Sequence, residues 1–92
     1  QASLTPMKIL KNSAYAMTLL DELSGKCSKL ILSDVVTGAA LLAASAHGGF
    51  INVGANTGLM KNTEIAQKLN EEAKMLLSKT MRLHDSISQL ML

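Results

Sequence analysis

Aromatic side chains are almost absent from this sequence. Tyr15 and Phe50 make up the whole 2% aromatic fraction, whereas 48% of the residues are hydrophobic. A chain this apolar is too hydrophobic to be disordered, so its core must be built from Leu, Ile, Val, Met and Ala. Such side chains favour closely packed helices. The composition therefore predicts an all-α fold, an antiparallel helical bundle.

Clustered positive charge is also missing. The net charge is +2, and no two of the nine Lys and Arg residues are adjacent. Proteins that bind single strands combine a basic groove with stacking aromatic rings. We therefore expect no nucleic-acid partner.

Cysteine and histidine are equally scarce. Cys27 is the only cysteine, which excludes an internal disulfide. His47 and His84 lie far apart in the sequence, so we expect no metal site. The sequence contains no phosphate loop or nucleophile elbow, and we expect no signal peptide. A free thiol in a reducing compartment, and hence a cytoplasmic location, is the resulting expectation.

The first predicted helix opens at Pro6, with Thr5 as its N-cap, and stops at Gly25. Its apolar residues recur at steps of three and four, which is typical of an amphipathic helix. This stripe consists of Met7, Leu10, Ala14, Met17, Leu20 and Leu23.

The second predicted helix follows a connection over residues 26–32, with Ser33 as its N-cap and Asp34 in its first turn. Residues 35–46 are apolar on nearly every face, so we expect this helix to be central and surrounded. The apolar character resumes after His47, which favours one long helix over two. We expect the glycines of this region to allow close approach of another helix or a ligand: Gly48, Gly49, Gly54 and Gly58.

A membrane span is the alternative for residues 35–53, which carry no formal charge. Against it, the stretch is rich in Ala, Gly, Ser and Thr and contains His47 and Asn52. Neither a basic cluster nor an aromatic belt marks its ends. The composition favours a buried helix, and we expect no membrane partner.

The third predicted helix begins at Asn62 or Thr63, with Glu64 in its first turn, and runs to the chain end. Its apolar positions approach a heptad seam. The seam consists of Ile65, Leu69, Ala73, Leu76, Thr80, Leu83, Ile87 and Leu90. No linker divides the chain, so residues 1–92 are predicted to form a single domain.

Polar residues within apolar sequence are the candidates for a site, because an unpaired buried polar group costs roughly 1–3 kcal/mol. Ser33 and Asp34 form either a site or a plain helix cap. Asn52 and Asn56 share a helical face and either bind a ligand edge or bond across helices. His47 is either a base or a helix-end residue, whereas His84 and Asp85 are expected to face solvent.

The segment from Leu32 to Met60 resembles the formiminotransferase-cyclodeaminase C-terminal family. That family carries Ser-Asp, then an Ala-rich helix, then Asn-Val-x-x-Asn at similar spacing, matched here by Ser33-Asp34 and Asn52 to Asn56. A Pro-containing lead-in at residues 2–6 and a long C-terminal helix extend the likeness over nearly the whole chain.

The resemblance implies a dimeric all-α enzyme that closes 5-formiminotetrahydrofolate to 5,10-methenyltetrahydrofolate with release of ammonia. Relatives hydrolyse the methenyl compound instead. Its substrate would be a tetrahydrofolate derivative, with no tightly bound cofactor. By this likeness Asp34 either transfers a proton or orients the pterin, and Ser33, His47, Asn52 and Asn56 contact the substrate or line its cavity.

The sequence departs from the family at three points. Cys27-Ser28 stands where members often have Gly-Asn, and Thr57 replaces a common leucine. The family domain is also longer, and the aspartate regarded as catalytic lies upstream of anything that matches Gln1. We therefore expect a C-terminal piece that is inactive without its N-terminal half. The alternative from another class is a non-catalytic helical interaction module.

Overall fold

The computed structural model describes residues 4–92, with the side chain of Leu4 excepted. This range folds into three helices: α1 (Leu4–Ser24), α2 (Lys29–Thr57) and α3 (Thr63–Gln89). No strand occurs between residues 4 and 92. The all-α prediction is confirmed.

Helix α1 packs through the stripe that its spacing predicts. Met7, Leu10, Ala14 and Met17 are buried and Leu20 is half-buried, but Leu23 is 44% exposed. Leu4 is already helical, so the prediction of Thr5 as N-cap is wrong. Pro6 then occupies the first turn of the described helix, where its missing N–H costs nothing. Residues 2 and 3 of the expected lead-in lie outside the described residues.

Helix α2 begins earlier than predicted. Ser28 has extended backbone angles (φ −70°, ψ 163°), and its Oγ accepts a hydrogen bond from the Ile31 N–H. Ser28 is therefore the N-cap, and the prediction of Ser33 for that role is wrong. The connection shrinks to residues 25–28 because the helix already includes Lys29. At the other end the prediction of one long helix is confirmed, since α2 continues through His47, Gly48 and Gly49.

Helix α3 starts where the sequence places it. Asn62 Oδ1 accepts a hydrogen bond of 3.1 Å from the Ile65 N–H, and Glu64 lies in the first turn. The buried positions recur every seven residues, at Ala66, Ala73, Thr80 and Ile87. Leu69, Leu76 and Leu83 are half-buried between them. The heptad seam is thus confirmed in its centre, but Ala66 replaces Ile65 at one end and Leu90 is half-exposed at the other.

Two apolar clusters show the direction of the helices. Met7 of α1 packs with Val53 of α2 and Ala73 of α3 at one end of the bundle. Met17, Val35 and Ile87 pack together at the other. Since α2 runs antiparallel to α1 and α3, the molecule is an up-down-up three-helix bundle that measures 50 × 17 × 16 Å.

Helix α2 is not surrounded, contrary to the sequence-based expectation. One face is buried, along Val35, Ala39, Ala43, Ala46, Gly49, Val53 and Thr57. The opposite face is exposed, with Leu41 at 69% and Ile51 at 60%. Two neighbouring helices cover only one side of a third helix, so an Ala-rich apolar surface is left open.

The same helix is long and apolar enough to cross a membrane by length and composition, and 22% of its most apolar 18-residue window is buried. The core helix of a soluble bundle can be equally long and apolar, so this property alone does not distinguish a membrane span from a buried helix.

Candidate functional site

The Ser33 and Asp34 side chains lie on the second turn of α2, and both are exposed. Ser33 Oγ donates a hydrogen bond of 3.3 Å to the Leu30 carbonyl, so its hydroxyl is used within the helix. The Asp34 carboxylate forms no hydrogen bond or ion pair with the residues that the structure describes. It is therefore accessible to a ligand or to a second polypeptide.

Asn52 and Asn56 lie near the other end of α2. The helix is continuous through both, so they share a face as the sequence predicts. Asn52 is exposed, whereas Asn56 is half-buried and already has an interaction partner. His47 is exposed and lies inside the helix rather than at its end.

The candidate residues do not come together within one chain. Asp34 and Asn52 point in the same direction but lie five turns apart, about 27 Å at ~1.5 Å per residue. The hollow along α3 and the hollow beside the α2–α3 turn are lined by other residues. The unbroken α2 therefore holds the predicted carboxylate far from the predicted amide groups within one copy.

A polar hollow that the sequence did not reveal lies beside the α2–α3 turn. The buried Thr57 hydroxyl lies 2.7 Å from Asn70 Oδ1 and 3.1 Å from the Gly54 carbonyl. Gln67 and Lys74 line the same hollow. Asn70 lies within an ordinary polar stretch of α3, so only the turn that folds α3 back onto α2 brings it to Thr57. The contact fastens the two helices together at this end.

His84 forms part of a polar chain on α3. Its Nδ1 lies 3.0 Å from Asp85 Oδ1, and its Nε2 lies 3.4 Å from Ser88 Oγ. The Asp85 side chain is 72% exposed, as expected, whereas that of His84 is 23% exposed. The Asp85 carboxylate and the Ser88 hydroxyl therefore hold the imidazole in one orientation from its two nitrogens.

Over residues 4–92 no three His, Cys, Asp or Glu side chains are grouped so that they could hold a metal ion. Cys27 is a free, half-buried thiol. Lys26 and Lys29 are exposed at the start of α2. Both ammonium groups are therefore accessible to an anionic ligand.

Comparison with known proteins adds one finding to this geometry. Residues 1–75 match the formiminotransferase-cyclodeaminase family, so the matched part includes α1, α2 and the first half of α3. The match ends earlier than the resemblance suggested, since residues 76–92 lie beyond it. Neither the curated proteins nor the solved structures provide a match. The matched part is most of the chain, which therefore belongs to the formiminotransferase-cyclodeaminase family, whose members include folate-dependent cyclodeaminases.

Proposed function

We propose that this chain is the C-terminal half of a longer cyclodeaminase-like domain that acts in folate one-carbon metabolism. The family match over residues 1–75 is the observation that carries the proposal. The reaction is ring closure of 5-formiminotetrahydrofolate: N10 bonds to the formimino carbon, the N10 proton and one proton from solvent move to the terminal nitrogen, the bonds from the carbon to that nitrogen break, and ammonia leaves. The product is 5,10-methenyltetrahydrofolate.

The reaction needs a group that moves a proton at the one-carbon bridge. Asp34 is our candidate within this chain, because its carboxylate is exposed and unpaired among the described side chains. Asn52, Asn56, His47 and Ser33 are candidates for contact with the pterin or for lining its cavity. Amide groups offer two donors and one acceptor, which suits the edge of a pterin ring.

The separation of Asp34 from Asn52 supports the proposal that this chain alone is inactive. Because one copy of α2 holds these two residues about 27 Å apart at ~1.5 Å per residue, a site that encloses a folate needs groups from other protein. We propose that the N-terminal half of the domain supplies that enclosure and the main catalytic aspartate, and that the working enzyme is a cytoplasmic homodimer.

The full-length protein should be assayed by the absorbance of the methenyl compound. With 5-formiminotetrahydrofolate as substrate, a cyclodeaminase should raise this absorbance. With methenyltetrahydrofolate as substrate, a cyclohydrolase would lower it. Asp34→Asn should lower kcat by about 10²-fold or more if the carboxylate transfers a proton. Asp21→Asn, an aspartate on α1, is the matched control and should leave kcat unchanged.

A non-catalytic helical interaction module is the second candidate, and the open apolar face of α2 favours it. Such a module would turn over neither substrate. If the full-length protein is folded and both assays are blank, the enzyme proposal is rejected for this member of the family.

A further inference from the structure

Three polar side chains near the end of α3 have no part in the proposed folate chemistry. Asp85 Oδ1 lies 3.0 Å from His84 Nδ1, and Ser88 Oγ lies 3.4 Å from His84 Nε2. We call Ser88, His84 and Asp85 the α3 triad. All three residues lie beyond the family match, which ends at residue 75. Membership of the family therefore does not account for them.

The contacts of the α3 triad determine where its protons lie. An ionised carboxylate only accepts hydrogen bonds, so His84 Nδ1 carries the proton that faces Asp85. The other nitrogen of a neutral imidazole then has a free lone pair. His84 Nε2 therefore accepts a hydrogen bond from the Ser88 hydroxyl.

The Ser88 hydroxyl differs from other hydroxyls of the three helices. Several of them donate to a carbonyl three or four residues earlier in their own helix, which is a common arrangement for Ser and Thr within helices. These residues are Thr18, Ser24, Ser33, Thr37, Thr57 and Thr80. The half-buried Ser88 is instead directed at a base.

We propose that Ser88 is an acyl-acceptor site, with His84 as its general base and Asp85 as the group that orients the imidazole. The ligand class is an activated acyl donor, an ester or thioester. A hydroxyl, a base and an orienting carboxylate in this order form the arrangement that activates serine for acyl transfer.

The reaction transfers one acyl group. Ser88 Oγ bonds to the acyl carbon while the hydroxyl proton moves to His84 Nε2. The bond from the acyl carbon to the leaving oxygen or sulfur then breaks, and the leaving group takes the proton from Nε2. An ester of Ser88 and the free alcohol or thiol are the products.

The surroundings of the α3 triad make this reaction slow. Efficient acyl-transfer sites direct free N–H groups at the developing oxyanion. The N–H groups of Leu90, Met91 and Leu92 already donate to carbonyls of their own turn. The Asp85 side chain is also 72% exposed, so solvent weakens its attraction for the imidazole. We therefore expect stoichiometric labelling of Ser88 rather than turnover.

Mass-spectrometric peptide mapping of the full-length protein treated with p-nitrophenyl acetate tests the proposal. Ser88 should be acetylated roughly tenfold faster than Ser86, below the effect of an enclosed general base. Ser86 is the internal control, because it is exposed on the same helix and forms no hydrogen bond with the described residues. Acetylation of the exposed Lys79 shows that the reagent is active. Equal rates at the two serines, or an unlabelled Ser88 beside a labelled Lys79, would overturn the proposal.

Two variants distinguish a base from a structural role. His84→Gln keeps a polar side chain but removes the base, so the Ser88 rate should fall to that of Ser86. Asp85→Asn should give an intermediate rate, because the amide oxygen still accepts from Nδ1 without a full charge. Asp21→Asn on α1 is the control and should change neither rate. Helical circular dichroism shows whether each variant is folded, and an unchanged Ser88 rate in folded His84→Gln protein would overturn the proposal.

The solvent isotope effect tests the role of His84 directly. Acetylation of Ser88 should be slower in D2O than in H2O, because the hydroxyl proton moves as the new bond forms. Equal rates would mean that the imidazole takes the acyl group itself, which would overturn the general-base assignment. None of these measurements involves folate, so a failure here leaves the proposed enzyme activity to its own assay.

Discussion

The backbones of α1 and α2 approach each other closely at Gly49. A Cβ atom placed on it would lie 3.0 Å from the Pro6 carbonyl oxygen and 3.3 Å from the Leu10 nitrogen. Both are backbone atoms, so a larger residue forces the two helices apart. Of the four glycines that were expected to allow close approach, only this one meets another helix; Gly48 and Gly54 face open space and Gly58 contacts only its own helix.

Gly49→Ala should therefore lower the free energy of unfolding by about 1–3 kcal/mol, because overpacking outweighs the gain in helix propensity. Gly54→Ala is the matched control on the same helix. It should raise the stability by about 0.5–1 kcal/mol, since its Cβ meets nothing. Urea denaturation measures both, and a stabilised Gly49→Ala protein would contradict the packing described here.

Thr57→Val should also destabilise the bundle. The change keeps the shape of the side chain but removes the hydroxyl that joins α2 to Asn70 of α3, which we expect to cost about 1 kcal/mol. Thr18→Val is the control, because the Thr18 hydroxyl bonds only to Tyr15 of its own helix. In urea denaturation, Thr57→Val should lower the free energy of unfolding more than Thr18→Val does. Equal decreases would argue against an inter-helical role of the Thr57 hydroxyl.

Capping shows how far the sequence predicts single residues. Of the two residues predicted to cap α3, Asn62 and Thr63, the structure uses Asn62, which is the first good cap after a glycine-containing turn. Ser33 was placed wrongly because Ser28 is an equally good cap five residues earlier, and the intervening Lys29 to Leu32 segment is compatible with a helix. Sequence alone does not decide between two serines; the extended backbone at Ser28 does.

At the scale of the element, periodicity predicted α1 and α3 well because each has a polar side that contrasts with its apolar one. Periodicity did not predict which face of α2 is buried, because the residues of this helix are apolar all round. Such a pattern indicates that every face can be buried but does not show what buries it. The structure covers one face with α1 and α3 and leaves the other open.

The C-terminal half of α3 provides a test of the seam. Ile87 is fully buried and Leu90 is 51% exposed, although the sequence assigned both to the same seam. Ile87→Ala should cost about 2–4 kcal/mol in unfolding free energy through a cavity in the core. Leu90→Ala should change it by no more than about 0.5 kcal/mol. Thermal or urea denaturation of the two variants gives the comparison, and similar losses would show that α3 is rotated from the orientation described.

The exposed ion pair between α1 and α3 should contribute little. Lys11 Nζ lies 3.4 Å from Glu72 Oε2, and the two side chains are 53% and 47% exposed. Solvent screens such a pair, so Lys11→Met should change the unfolding free energy by less than about 1 kcal/mol. A loss of several kcal/mol in urea denaturation would mean that Lys11 has a role beyond this contact.

At the scale of the whole molecule, three helices in a bundle 50 Å long place the candidate site residues at opposite ends. The sequence predicted the fold class, the unbroken α2 and the family. It did not predict that Asp34 and Asn52 stay apart, because the pattern places both on one face of a helix and gives no indication of which other helix or copy completes the surroundings.

The folate proposal predicts that Asn52 contacts a ligand rather than solvent alone. The most direct test is calorimetric titration of the full-length protein with 5-formyltetrahydrofolate, comparing wild type, Asn52→Ala and Asn12→Ala, an exposed asparagine of α1. We predict saturable binding to the wild type. Asn52→Ala should weaken the affinity about tenfold, because roughly one hydrogen bond to a polar ring is lost. Asn12→Ala should leave the affinity unchanged. Absence of saturable binding to folded wild-type protein, or equal affinities for all three proteins, would contradict the account.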